Sequence, residues 1–256
     1  MAGGIAAGVA STAGTNNSTE SQKGSSLFGS GKGFTPLVAT KQTKEQYTDS
    51  NGNTWSVFDH PFSDNSGKIT QQGSAFPDDG KGGGITGTCG LCATGTIINK
   101  AGGSATEKSV AIHAIQHGLC SNEANKRPEN RGGTNPRQRV QILKDAGIPS
   151  TSVAGASLES ISNEVEKGKG VMISVTASIY KPEWYGTYSE DNRGGHAIVL
   201  ESPIRDPKTG KISGYVVSDS NGSTSKEATV VVPADVLETA FGHRGGQAII
   251  TDDVIW

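Results

Sequence analysis

The chain has 256 residues, 36 of them glycine, with 33% hydrophobic and 5% aromatic residues and a net charge of −2. So balanced a charge excludes the basic footprint of a nucleic-acid or acidic-membrane surface, and no stretch approaches the roughly 20 apolar residues of a membrane span. Three cysteines cannot all pair. In a chain too long to be a disulfide-stapled miniprotein, they point to a reducing place of action.

Residues 1–84 are rich in Gly, Ser, Thr and Asn. That composition predicts a low-complexity N-terminal region, largely disordered or weakly structured. The first lysine is Lys23 and no sustained apolar run precedes it, so a classical signal peptide is not expected. Within this region the segment around Trp55, Val57, Phe58 and Phe62 is an aromatic island, expected as a loop or strand that packs on the domain. Residues 85–256 are expected to form that domain.

From residue 85 the helix signals sharpen. A first helix is expected over residues 89–100, closed by Gly102-Gly103. Ser104-Ala105-Thr106-Glu107 has a capping-box pattern for a second helix that ends at Gly118. Asn135-Pro136-Arg137-Gln138 supplies an N-cap, a first-turn proline and a capping glutamine for a third, which stops at Gly147. Ser157-Leu158 opens a fourth, with Leu158, Ile161 and Val165 on one face and Gly168 as its stop. The apolar period then changes to two: strands are expected over residues 171–175, 196–201, 214–218, 229–232 and 248–251, with a turn at Asp206-Pro207 and a short helix over 234–241. Helices first and strands second predict an α+β domain, a helical half packed on an antiparallel sheet.

The chemistry gathers at three places. In Thr88-Cys89-Gly90-Leu91-Cys92 a glycine-rich run empties into a cysteine at the start of the first helix, where free backbone N–H groups and the helix dipole favour a thiolate. Far downstream, His196 opens a strand in Gly194-Gly195-His196-Ala197, and Asp219 and Asn221 follow the next strand. A nucleophilic thiol needs a base and a group to orient that base. Cys89, His196 and Asp219 supply those types in order, with Asn221 able to orient but not to compensate charge. Backbone N–H groups of Cys89 and Gly90 could face an oxyanion. Tyr180, Trp184, Tyr185 and Tyr188 crowd one loop before His196, as a cleft wall or as a packing anchor. Two rival readings share these residues. Cys89 and Cys92 have dithiol spacing, though Gly82-Gly83-Gly84 stands where a strand should lead in. Cys89, Cys92, His117 and Cys120, with His113 one turn from His117, have zinc-ligand types. Neither a metal nor a cofactor is expected.

Cys89-Gly90-Leu91-Cys92-Ala93 with Gly102-Gly103, Gly195-His196-Ala197-Ile198-Val199 and Val217-Ser218-Asp219-Ser220 resemble the nucleophile helix and the histidine and aspartate strands of double-glycine, bacteriocin-processing cysteine peptidases. Residues 104–120 and Gly132-Gly133-Thr134-Asn135-Pro136 extend the resemblance to papain-like peptidase domains of bacterial polymorphic toxins. The resemblance covers residues 85–256 and implies a papain-like fold and an injected or secreted effector. Such an effector would act in a target cell's cytoplasm, cleave a protein substrate there and meet a cognate immunity protein in its producer. No nucleic-acid or membrane partner is implied. The papain motif C-G-[SA]-C-[WY] would instead select Cys92 as nucleophile, whereas Gly90 and the spacing to Gly102-Gly103 favour Cys89. Double-glycine peptidases also carry an oxyanion glutamine shortly before the nucleophile. Here Thr86, Thr88, backbone groups, or Gln71 or Gln72 folding back would take that part. The same thiol chemistry serves glutamine deamidases, transglutaminases and cell-wall amidases, and a non-catalytic binding module could reuse the groove.

Overall fold

The computed structural model describes residues 43–48, 54–59, 69–72, 84–123, 125–206, 208–222 and 228–255. The elements from the first helix onward are α1 (Cys89–Lys100), α2 (Glu107–Gln116), α3 (Pro136–Asp145), β3 (Ser150–Val153), α4 (Leu158–Glu166) and β4 (Lys169–Thr176). Two single-turn helices follow, α5 (Ala177–Tyr180) and α6 (Pro182–Tyr185). Then come β5 (Gly195–Arg205), β6 (Ile212–Ser218), β7 (Thr229–Pro233), α7 (Ala234–Gly242) and β8 (Ala248–Val254). The class is α+β, as expected.

All pairings are antiparallel: β8 lies between β3 and β4, β4 pairs β5, and β5 carries β6 and then β7 on its other edge. Strand alternation sends Met172, Ala197, Val199 and Ile249 to one face, where α1, α2 and α3 pack through Leu91, Ile97, Ile98, Val110, Ile142 and Leu143. Val171, Ile173, Val175, Ile198, Leu200 and Val217 point the other way, onto α4 and α7 through Leu158, Ile161, Val165, Leu237 and Phe241. The sheet is therefore buried on both faces, a third layer that the expectation of one helical half did not include. Each fully buried Leu or Ile contributes about 1.5–3 kcal/mol to that assembly.

Helix α1 runs through the middle of it, buried from Gly90 to Lys100. That explains its composition. Thr94 and Thr96 return their hydroxyls to the carbonyls of Gly90 and Cys92, at 2.7 and 3.0 Å, so both side chains go inside without an orphaned donor.

Several starts and stops lie where the caps put them. Asn135 and Gln138 form a reciprocal capping box, Ser157 caps α4, and Gly102, Gly118, Gly147 and Gly168 all follow helices with positive φ. The second capping box differs: Thr106 is the N-cap and Ser109 its partner, because the Glu107 carboxylate turns inward to accept the Thr88 hydroxyl. The edge strand β3 and the helices α5 and α6 were not anticipated.

The reading of residues 1–84 falls mostly outside the described residues. Inside it, β1 (Thr43–Thr48) and β2 (Thr54–Asp59) form an antiparallel hairpin, and β2 pairs with the end of β5 through Ser56↔Arg205 and Val57↔Ile204. Trp55 thus lies on a docked strand. Among the described residues no helix is long and apolar enough to cross a membrane.

Candidate active site

The loop 84–88 reaches α1 by lying tightly on the segment 128–131. Thr86 N–H donates to Pro128 O and Gly87 N–H to Arg131 O, both at 2.9 Å, and a Cβ on Gly87 would stand 2.3 Å from Glu129 O. Only glycine fits that approach. The first turn of α1 is then left open: Thr88, the N-cap residue, gives no side-chain cap, and no acidic residue lies in the turn. The first bond of the helical ladder is Cys92 N–H to Thr88 O at 2.8 Å. The N–H groups before it and the positive end of the helix dipole face the residue that starts the helix, Cys89.

Cys89 is half-buried and lines a cleft of about 250 Å³ together with Gly90, Thr134, Arg139, His196 and Arg244. Across it stands His196, the second residue of β5 and 4% exposed. Its Nε2 lies 2.7 Å from Oδ1 of Asp219, which is fully buried immediately after β6. Nε2 being taken, Nδ1 is the nitrogen left to face Cys89 across the cleft that both residues line. Asn221 N–H also donates to Asp219 Oδ1, at 2.9 Å, fixing the carboxylate from a second side. Tyr180 and Tyr185 cover the pair, with ring centroids 6.2 and 5.2 Å from that of the imidazole. The Tyr185 hydroxyl lies 3.2 Å from Nε2.

This surrounding separates charge. Burial pushes the Cys89 thiol up, but the hydrogen bond and charge of His196, the Ala197 N–H and Arg139 outweigh it, and the thiol lies below its ordinary value. Burial likewise opposes the imidazolium, but Asp219, by charge and hydrogen bond, and then Cys89 raise His196 to about 10. For the Asp219 carboxyl, burial is outweighed by His196, and its pKa is lowered. Each group thus favours the charged form of its neighbour, thiolate, imidazolium and carboxylate in a row.

The structure thus brings Cys89, His196 and Asp219 together and gives the other named residues different neighbours. Cys92 is fully buried, one turn inside, with its thiol 3.8 Å from the Thr88 hydroxyl. Burial, followed by the charge of Glu107, holds that thiol well above the ordinary range. Thr88 is committed to Glu107. Gln72 does fold back, but to the turn after Asp219: its N–H donates to Ser220 O at 2.9 Å and its side chain engages Ser220 and Asn221. His113 packs against His117 with tilted rings whose centroids are 4.4 Å apart, and its Nε2 lies 2.8 Å from Asp145 Oδ2. All three thiols are free, and among the described residues no group of three or more His, Cys, Asp or Glu is placed to hold a metal. The aromatic loop divides its work: Tyr180 and Tyr185 wall the site, Trp184 carries the Lys181 ammonium 3.0 Å from its ring centre, and Tyr188 packs edge-on to His243.

Sequence reasoning missed Arg139, Ser174 and Arg244. A signal existed for the first: Arg139 lies three and four residues before Ile142 and Leu143, on the apolar stripe of α3, where a charge asks for an explanation.

No family model matches the chain, and no curated protein matches it either. Among solved structures, one from Bacillus anthracis assigned as a C39-like peptidase is similar at 15% identity with a TM-score of 0.49, covering 71% of this chain and 92% of its own. Identity that low leaves the chemistry to be read from the residues themselves.

Proposed function

We propose that the chain is a papain-like cysteine peptidase with Cys89 as nucleophile, His196 as proton carrier and Asp219 as the group that orients and charges the histidine. The observation that carries this reading is the row itself: a half-buried thiol at an open helix N-terminus, facing an imidazole whose far nitrogen is 2.7 Å from a buried carboxylate.

The Cys89 sulfur attacks the carbonyl carbon of a peptide bond and forms a tetrahedral intermediate. The developing oxyanion meets the N–H groups of Cys89 and Gly90, an interaction worth about 3–4 kcal/mol where it has been measured. His196 gives its proton to the leaving amine, the C–N bond breaks, and a thioester remains. Water then attacks that thioester, its proton passing to His196. Cys89 leaves as thiolate, restoring the starting charges. Asp219 stays ionised throughout, and the tyrosine wall keeps water from weakening its hold on His196.

The biological setting we propose is that of an effector injected or secreted into a competing bacterial cell, where it cleaves a protein and from which a cognate immunity protein shields the producer. The motif resemblance to polymorphic-toxin peptidase domains supports it. Inducible expression of wild type, Cys89→Ala and Cys92→Ala in a susceptible bacterium tests both parts together. Growth arrest with new peptide ends, abolished by Cys89→Ala alone, is the expected result. Arrest that survives the loss of Cys89 overturns the reading. Arrest with released ammonia and no new ends turns it into an amidohydrolase.

A further inference from the structure

The wall of the cleft beside Cys89 holds more positive charge than the thiolate alone calls on. Arg139 is 5% exposed. Its guanidinium donates to Ser174 Oγ at 3.2 Å and to Asn135 O at 3.5 Å, and touches Met172 Sδ at 3.5 Å. Among the described residues no carboxylate comes within ion-pair distance of it, or of Arg244. Arg244, on the turn after α7, lies over the first residue of β5: a Cβ on Gly195 would stand 2.7 Å from its Nη2. Close by, the Thr134 hydroxyl is buried with no hydrogen-bond partner. Arg139, Arg244, Thr134 and Ser174 all line the cleft that Cys89 and His196 line. Glu129 is the one acid of that lining, and its carboxylate is 58% exposed and 3.9 Å from Arg127.

A buried cation is normally paired, because desolvation without a counter-charge is costly. Here the Cys89 thiolate is the anion that faces Arg139, no carboxylate joins it on the side that opens to the cleft, Arg244 adds a second cation, and an orphaned hydroxyl sits beside them. Guanidinium groups present forked donors that match a carboxylate, and a cleft of about 250 Å³ has room for a side chain. We propose that this wall is a specificity site for an anionic side chain: the substrate carries Asp or Glu beside the scissile carbonyl, held by Arg139 and Arg244 with the Thr134 hydroxyl. The word scissile rests on the peptidase reading, whereas the anion site itself does not.

A pair of matched thiol reagents separates the two. Iodoacetate and iodoacetamide differ in a carboxylate, and their rates at Cys89 are followed by site-resolved mass spectrometry on the full chain. His196 adds the same attraction in every variant, so the change in the rate ratio isolates the arginines. In Arg244→Gln, an exposed position, the iodoacetate-to-iodoacetamide ratio falls about fivefold. Arg139→Gln lowers it further, and Arg139→Lys retains part of it. A ratio that stays within about twofold of wild type in Arg244→Gln overturns the proposal. Digestion of matched peptide libraries with free and with amidated C-termini then locates the charge. Acid enrichment at one position, lost in Arg244→Gln, places it on a side chain, whereas preference for free C-terminal carboxylates overturns that placement. Absence of cleavage with the reagent ratio intact removes the peptidase reading and leaves the anion site standing.

Discussion

Cys89 and Cys92 stand one turn apart on α1, and their thiols sit in opposite surroundings: one faces an imidazolium at the cleft, the other is enclosed beside a carboxylate. Nucleophilicity at neutral pH follows the thiolate fraction. Iodoacetamide at pH 7 is therefore expected to modify Cys89 at least about 100-fold faster than Cys92. Cys92→Ala should keep cleavage activity and lose about 1 kcal/mol of stability. Labelling that reaches Cys92 first would reverse the assignment of the nucleophile.

The pH profile carries a sign for each partner. Cys89 lies below its reference value of 9.0, so its thiolate persists to lower pH than that of a free cysteine. His196 is raised to about 10, so the imidazolium that must protonate the leaving group persists up to that pH. Activity should hold a plateau between the two and fall along an alkaline limb near pH 10. For stability, the raised histidine contributes in full below its unfolded value of 6.5 and is lost through about 10. The lowered cysteine contributes in full above 9.0 and is lost as pH falls through its folded value. Asp219→Asn keeps an oxygen acceptor but removes the charge, and should move the alkaline limb down by about one to two units. An unmoved limb would show that Asp219 does not set the charge on His196.

Lys100 and Glu201 form a buried ion pair at 2.5 Å that ties the end of α1 to β5. Glu201 also accepts the Ser218 hydroxyl from β6, so one carboxylate joins the nucleophile helix to both strands that lead to the site. Lys100→Met leaves that carboxylate buried against an apolar group and should cost about 3–5 kcal/mol in denaturant unfolding. Lys100→Met with Glu201→Gln should recover most of it. A single variant as stable as wild type would mean that the pair contributes little.

Gly90 is fixed by a neighbour. A Cβ there would lie 2.1 Å from Thr134 Oγ1 but 3.4 Å from Thr134 Cβ. Gly90→Ala should therefore disturb the first turn of α1 and lower turnover by about 10-fold or more, and Thr134→Ala in the same chain should restore much of it. Steady-state kinetics of the three variants measures this, and absence of rescue would point to a backbone requirement at Gly90 instead.

What was legible in the sequence was what is local. Asn135 with Gln138, Ser157 before Leu158 and the glycines after α1, α3 and α4 announce their helices because caps are decided within a turn. His196 and Asp219 were readable because each sits at the end of an apolar strand. β3 was not: Ser150-Thr151-Ser152 is polar and held by β8 from one edge only. The hairpin β1–β2 docks through Arg205 and Ile204, far along the chain. Gln72 finds Ser220 148 positions later, and no local pattern marks such a pairing. Arg139 is intermediate, since its misplaced charge was visible on the stripe of α3 but its neighbour Arg244 was not.

Peptide-bond cleavage through Cys89 can be read on the purified chain. Wild type and Cys89→Ala are incubated with a denatured bacterial proteome, and newly formed N-termini are mapped by mass spectrometry. New termini are expected with wild type and none above background with Cys89→Ala. A proteome left intact by wild type, or cut equally by both, would contradict it.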